Sequence, residues 1–380
     1  MDVDLSELDG KSFACIDECG LCCLCQPEVS ESELRLIGAD PRRAAGLTNE
    51  RIDGRRTPQP SAVRLQGGQG GCHFLRGRRC QIYDIRPRFC RQFPAHVHVS
   101  WRVQVNANLS CRGITPGGSS LRAFGEGVLR GLPDGMLANE LESSRRRLRD
   151  FERDARGAGV WQDWKRIGQA GDVMASLLGT AGGVGKLLAF ADEEPEISEM
   201  PIQKLATVLE TTEEPEDLDD VALEGNCEAL DLESVAWLPV YSAPDFTWNL
   251  MQYTDGKLLW MRLEEGGKTE TLHTLEPREV HLMERDQDAL ATFGSYARTL
   301  AMRDHFACYA AEVCAEQEFS DDLMTVYAGV LGTAMLDMWW RASLIGTITG
   351  KTKIDGALAR EGVISYDMDC LDAPTIGAFI

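Results

Sequence analysis

No stretch of the 380 residues approaches the ~20 consecutive apolar side chains that a membrane-spanning helix needs. No Ser/His/Asp arrangement, paired acid/base motif or nucleotide fingerprint can be read from the chain, so a catalytic set and a substrate stay unassigned. Histidine is scarce, at six residues, and aromatic residues make up only 7%. The opening Met1-Asp-Val-Asp-Leu-Ser-Glu lacks both a basic and an apolar leader segment. The expectation is a chain that is not exported, sits in the cytoplasm and keeps its 13 cysteines reduced, which removes disulfides as their use.

Positive charge is also short: 39 Lys and Arg stand against 60 Asp and Glu, a net charge of -21. The deficit is local. Residues 1–170 carry 26 basic and 21 acidic residues, whereas the remainder carries 13 and 39. Such asymmetry separates modules and argues against nucleic acid as a partner of the acidic part.

What the chain does have is cysteine, placed unevenly. Nine of the 13 fall in the first 111 residues, beginning with Cys15-Ile-Asp-Glu-Cys19-Gly-Leu-Cys22-Cys23 and then Cys25. Flanked by Gly20 and the charged Asp17 and Glu18, these form a loop rather than an apolar face, and metal ligation is the use that fits. Cys227, Cys308, Cys314 and Cys370 suit buried small hydrophobes instead. A turn at Gly20 lets thiolates three and four positions apart, Cys15, Cys19 and Cys22, converge on one centre. Adjacent side chains project apart, so Cys23 is expected to point away from that centre, towards a second metal, the distal cysteines or the fold interior. Zinc wants four protein ligands in a closed site, and a cluster held by three leaves one iron open. Spacing does not choose between them.

The C-x3-C-x2-C spacing is that of radical S-adenosylmethionine enzymes, but the rest of the chain does not read as their barrel of alternating strands and helices. A longer pattern is more specific. Phe13-Ala-Cys15 through Cys23, then Cys72-His-Phe74-Leu75 with Cys80-Gln-Ile82-Tyr83-Asp-Ile-Arg86-Pro87-Arg-Phe-Cys90-Arg91-Gln-Phe93-Pro94, and finally Cys111, resembles the YkgJ-type cysteine-cluster family. That resemblance implies a zinc- or iron-chelating domain whose ligand pool is Cys15, Cys19, Cys22, Cys23, Cys72, Cys80, Cys90 and Cys111. The module is also similar to that of the flagellin lysine methylase, which implies a [4Fe-4S] cluster used with S-adenosylmethionine. Eight thiols exceed one tetrahedral site, so the expectation leans to one cluster with further cysteines around it. Cys25 lies outside the signature. Pro87 fixes the turn entering Cys90, and guanidinium groups at Arg86 and Arg91 offset thiolate charge. Tyr83 and Phe93 are expected to pack against the centre.

His73, and His96 with His98 on one strand face, are open as ligands, outer donors or surface residues; His273, His281 and His305 stand alone as structural ones. Gly179-Thr-Ala-Gly-Gly-Val-Gly185-Lys186 mimics a phosphate loop, but Thr180 replaces the first glycine and Leu187 the magnesium-binding hydroxyl, so it reads as a break between helices. Trp237, Trp248, Trp260, Trp339 and Trp340 read as core.

The expected fold is α+β and mostly helical. It has a cysteine-rich metal-binding N-terminal module (1–115), a helical region (116–190), an acidic connection (191–226) and an acidic domain with a small antiparallel sheet plus helices (227–380). Ser30-Glu-Ser-Glu33 is a capping box. Residues 40–71 read as connections, 101–107 as a strand, and 137–156 and 160–189 as helices. Short strands with Asp255-Gly256 and Gly266-Gly267 turns precede helices at 285–317 and 321–346 and a tail. Two functions fit. One is an iron–sulfur enzyme, including an S-adenosylmethionine-dependent protein methyltransferase. The other is a non-catalytic protein with a structural zinc or iron site and a partner-binding acidic domain.

Overall fold

The computed structural model describes residues 2–51, 54–192, 200–231, 239–372 and 378–379, with side chains as far as Met368. The fold is α+β. Near the N-terminus, Val3–Asp4 pairs in parallel with Val103–Ala107, which pairs antiparallel with Ala95–Val99. Alternation gives this sheet two unlike faces. Ala95, Val97, Val99, Val103, Val105 and Ala107 pack with Leu5, Leu8, Leu121 and Leu141 against the helices Leu121–Arg130 and Met136–Ala158. The other face carries His96, His98, Gln104 and Asn106, all buried.

That polar face meets the turn that splits the expected helix 285–317 into Gln287–Met302 and Asp304–Glu316. The split has an electrostatic cause. Arg303, in extended conformation at φ -83° and ψ 112°, is fully buried between two carboxylates. Its Nη2 donates to Glu7 Oε1 at 2.8 Å and its Nη1 to Asp367 Oδ1 at 2.6 Å. The clasp joins three distant parts of the chain. Asn106 Nδ2 and the Ala107 amide satisfy Glu7, and the Leu109 amide and the Tyr296 hydroxyl satisfy Asp367.

The main core is helical. Leu323–Ile348 is apolar on nearly every side, as a helix enclosed by others must be, and packs against Trp164–Leu178, Gly183–Asp192 and Gly356–Asp372. The last of these occupies what the sequence suggested was a tail. Gly362 explains its closeness: a Cβ there would lie 2.9 Å from Ala342 Cβ and 3.0 Å from the Met338 carbonyl oxygen. The phosphate-loop mimic is a break between two helices, ending at Leu178 and starting at Gly183. The stretch 191–226, expected to be an acidic connection, instead holds the helix Ile202–Thr211 and most of Leu218–Ala229. Leu205 and Leu209, one turn apart, bury the first of them. Among the described residues no helix is long and apolar enough to cross a membrane.

The C-terminal sheet is a meander of Val240–Ser242, Trp248–Thr254, Lys257–Leu263 and Thr269–Leu275. Asp255 and Gly256 both have positive φ, 49° and 74°, and close a two-residue hairpin between Thr254 and Lys257. Register again divides its faces. Tyr241, Met251, Leu258 and Trp260 enter the helical core. Trp248, Leu250, Met261 and Leu263 form a separate core with Leu75, packed by Cys23 and Leu24 of the cysteine-rich region. The sheet is therefore the wall between the two halves of the molecule.

Candidate metal centre

Three segments build the site. The first is the loop from Cys15, which turns at Glu18 and Gly20, with φ of 66° and 63°, and tightens into a 3-10 turn at Leu21–Cys23. The second is the hairpin Leu75–Arg76 with Arg79–Cys80, turned at Gly77 and Arg78, followed by the short helix Arg88–Gln92 that carries Cys90. The third is the turn at Cys111. Backbone bonds lock them together, Cys72 N to Cys23 O at 2.7 Å and Ala14 N to Gly113 O at 2.9 Å, while Cys111 N to Asn108 O at 3.1 Å closes the third turn itself. The capping box at Ser30 is present and starts the helix Glu31–Gly38 beside them.

All nine N-terminal cysteines, Cys25 included, line one cavity of about 310 Å³. Of these, Cys72 and Cys111 are buried and Cys15 is exposed. Cys23 lines the same cavity as its neighbours, but it also meets a distal cysteine, Cys80, and packs against the small cores beneath the loop, two of the directions expected of it. Its thiol is hydrogen-bonded to both Cys22 and Cys80. Cys25 donates its thiol to the Cys22 carbonyl at 3.5 Å. Tyr83 and Phe93 also line the cavity.

The thiols are not equivalent. The hydrogen bond from Cys23, with help from Arg86, pulls Cys80 down to about 6 and also lowers Cys22. The same bonds hold the proton on Cys23. Burial pushes Cys72 up to about 11 and Cys111 up to about 12, and raises Cys90 strongly. Burial and neighbouring thiols raise Cys15 and Cys19 as well. Arg86, stacked on the Tyr83 ring at 3.9 Å, is the cation that favours thiolate at Cys15, Cys22 and Cys80. Arg91 does not share that role; it pairs with Glu33 at 3.3 Å.

Among the described residues, no group of three or more His, Cys, Asp or Glu side chains is already gathered tightly enough to hold an ion. The donor set still fits zinc or iron: sulfur ligands in excess, a nearby guanidinium and room between the side chains. No histidine lines the cavity. His73 lies edge-on to Phe74 at 5.2 Å. His96 and His98 share a strand face as expected, but both are buried, and His305 does not stand alone: it stacks on His98 at 4.1 Å. His273 and His281 are exposed. Cys308 and Cys314 are buried and Cys227 is half-buried, and the side chain of Cys370 lies outside the described residues.

Trp248 and Trp260 are buried, as expected of core residues, and Trp340 also; Trp237 lies outside the described residues. Trp248, however, reaches the cysteine loop, donating its indole Nε1 to the Cys19 carbonyl at 3.0 Å. Neither that contact nor the presence of Cys25 in the lining was assigned from sequence. Cys25 carried a signal in its adjacency to Cys22 and Cys23, whereas Trp248 carried none.

Residues 14–112 match the model of the CxxCxxCC family, described as "Putative zinc- or iron-chelating domain". No curated protein and no solved structure matches the chain. The matched segment begins one residue before Cys15 and ends one after Cys111, so it contains every thiol of the cavity. The similarity to the CxxCxxCC domain covers residues 14–112, about a quarter of the chain, and coincides with the segment that builds the cavity.

Proposed function

We propose that the nine-thiol cavity is a metal centre holding an iron–sulfur cluster, [4Fe-4S], with Cys15, Cys19 and Cys22 among its ligands. The observation that carries this reading is the convergence of all nine cysteines on one cavity of about 310 Å³. A lone four-coordinate ion needs sulfurs about 2.3 Å from it on every side and no such volume. The remaining candidates from the signature, Cys23, Cys72, Cys80, Cys90 and Cys111, are the thiols packed around it. A cluster held by three thiolates has one iron available to a cosubstrate, which is the chemistry by which the protein would act as an enzyme with S-adenosylmethionine. The residues of the chain bind and shield: Arg86 offsets thiolate charge, and Phe13, Phe93 and Phe124 exclude water from the inner wall.

One observation favours a second reading, a structural zinc. The core under the metal loop is small, with Ile37, Leu47, Val63, Cys72, Phe74 and Ile82 at its centre, and its strands are two residues long. Segments of that kind draw their stability from a metal. Elemental analysis and visible absorption of protein purified without oxygen separate the two. Iron with sulfide and a brown colour supports the cluster; colourless protein with stoichiometric zinc overturns it.

A further inference from the structure

The carbonyl of Cys19 accepts two hydrogen bonds from outside its own loop. One comes from Trp248 Nε1 at 3.0 Å and the other from Arg78 Nη1 at 3.2 Å. The two donors are themselves stacked, with the Arg78 guanidinium 3.2 Å from the Trp248 ring centre. Gly20, the next residue, sits directly under both. With φ at +63°, it is in the left-handed region, and a Cβ there would lie 3.0 Å from Trp248 Cζ2 and 3.3 Å from Arg78 Cδ. Arg78 is held in place in turn by Glu265, whose carboxylate accepts from the Arg78 amide at 2.9 Å. The Glu265 carbonyl accepts from the Gly71 amide at 2.9 Å, one residue before Cys72.

The peptide between Cys19 and Gly20 is where the metal loop reverses, and Gly20 O then accepts from Cys23 N at 3.0 Å to start the turn carrying Cys22 and Cys23. Fixing that one carbonyl fixes the directions in which Cys19, Cys22 and Cys23 leave the backbone. Two of the residues that fix it, Trp248 and Glu265, lie far beyond the family match, which ends at residue 112.

We infer that Trp248, Arg78 and Glu265 are positioning residues of the metal loop, so that the C-terminal sheet completes a centre whose ligands all lie in the N-terminal module. This rests on the reading of the cavity as a metal centre. A loop that must be reordered before it can bind loses affinity by the fraction of time it is misordered. Metal retention therefore depends on a tryptophan that touches no metal.

The test uses the full chain reconstituted with ferrous iron and sulfide, and follows the rate at which an iron(II) chelator removes the metal. W248F keeps a ring for Arg78 to stack on but has no N–H to donate; release should quicken about fivefold, the value of one hydrogen bond. R78K keeps the charge and loses the planar stack, and should also quicken release. W260F is the control, since Trp260 is buried on the opposite face of the same sheet, and its release should equal that of the unmodified chain. Thermal midpoints of the metal-free W248F and W260F proteins separate positioning from general loss of stability. Release from W248F and R78K at the unmodified rate, or equal acceleration in W260F, overturns the inference. An unmodified chain that takes up no metal overturns the metal reading itself.

Discussion

Replacing Arg303 by methionine should unfold this protein far more readily than any surface substitution, although Arg303 lies far in sequence from the nine N-terminal cysteines. Its side chain is wholly buried, Asp367 equally so, and that of Glu7 is only 4% exposed. Removing the cation leaves two carboxylates in the interior with no counter-charge. Breaking a buried ion pair from one side costs about 3–5 kcal/mol, a large part of the ~5–15 kcal/mol that holds a domain folded. Arg303 also donates to the Ala107 carbonyl at 2.9 Å, and Asp367 accepts from the Leu109 amide at 2.6 Å, so the strand leading to Cys111 loosens with it. Urea unfolding followed by circular dichroism at neutral pH measures the loss. The triple variant Arg303→Met, Glu7→Gln, Asp367→Asn removes all three charges and should recover much of it, because no unpaired charge remains. A loss below about 1 kcal/mol for the single variant, or no recovery in the triple, would refute the reasoning.

The stacked histidines predict a pH dependence. Burial holds His96 at about 4, and also lowers His98 and His305, with Arg303 facing all three. The unfolded chain takes up these protons near pH 6.5 and the folded one does not, so stability is full above that value and falls as pH drops towards 4. His96 alone accounts for about 3 kcal/mol over that window, and unchanged urea midpoints between pH 7 and pH 5 would contradict the assignment. Gly20→Ala should cost about 1–2 kcal/mol from its left-handed backbone and weaken metal retention as well, read by thermal melting and chelator competition. Cys15→Ala should abolish cluster loading, with iron content as the readout; if it only lowers the melting temperature and spares the metal content, the site is structural.

Much of this is legible in the sequence. The cysteine signature, the capping box at Ser30 and the hairpin at Asp255-Gly256 depend on residues close in sequence, where spacing dictates geometry. What stayed hidden depended on distant partners. Nothing local announces that Arg303 interrupts a helix, because the cause is Glu7 and Asp367. The helix Gly356–Asp372 lacks a one-sided apolar stripe and packs through Gly362, so no period betrayed it. The helix Ile202–Thr211 was masked by the acidic residues around it. At the site, the eight cysteines of the signature line one cavity together with Cys25, an arrangement that depends on three segments distant in sequence and that spacing alone does not specify. Trp248 is a core residue, as its sequence context suggests; that its indole N–H also grips the Cys19 carbonyl is a property of the fold alone.

The most direct test is the metal content and visible spectrum of the full chain purified without oxygen. The account predicts iron and acid-labile sulfide in about equal amounts, a brown protein, and loss of both in Cys15→Ala, Cys19→Ala and Cys22→Ala. A colourless protein containing stoichiometric zinc, or no metal, would contradict it.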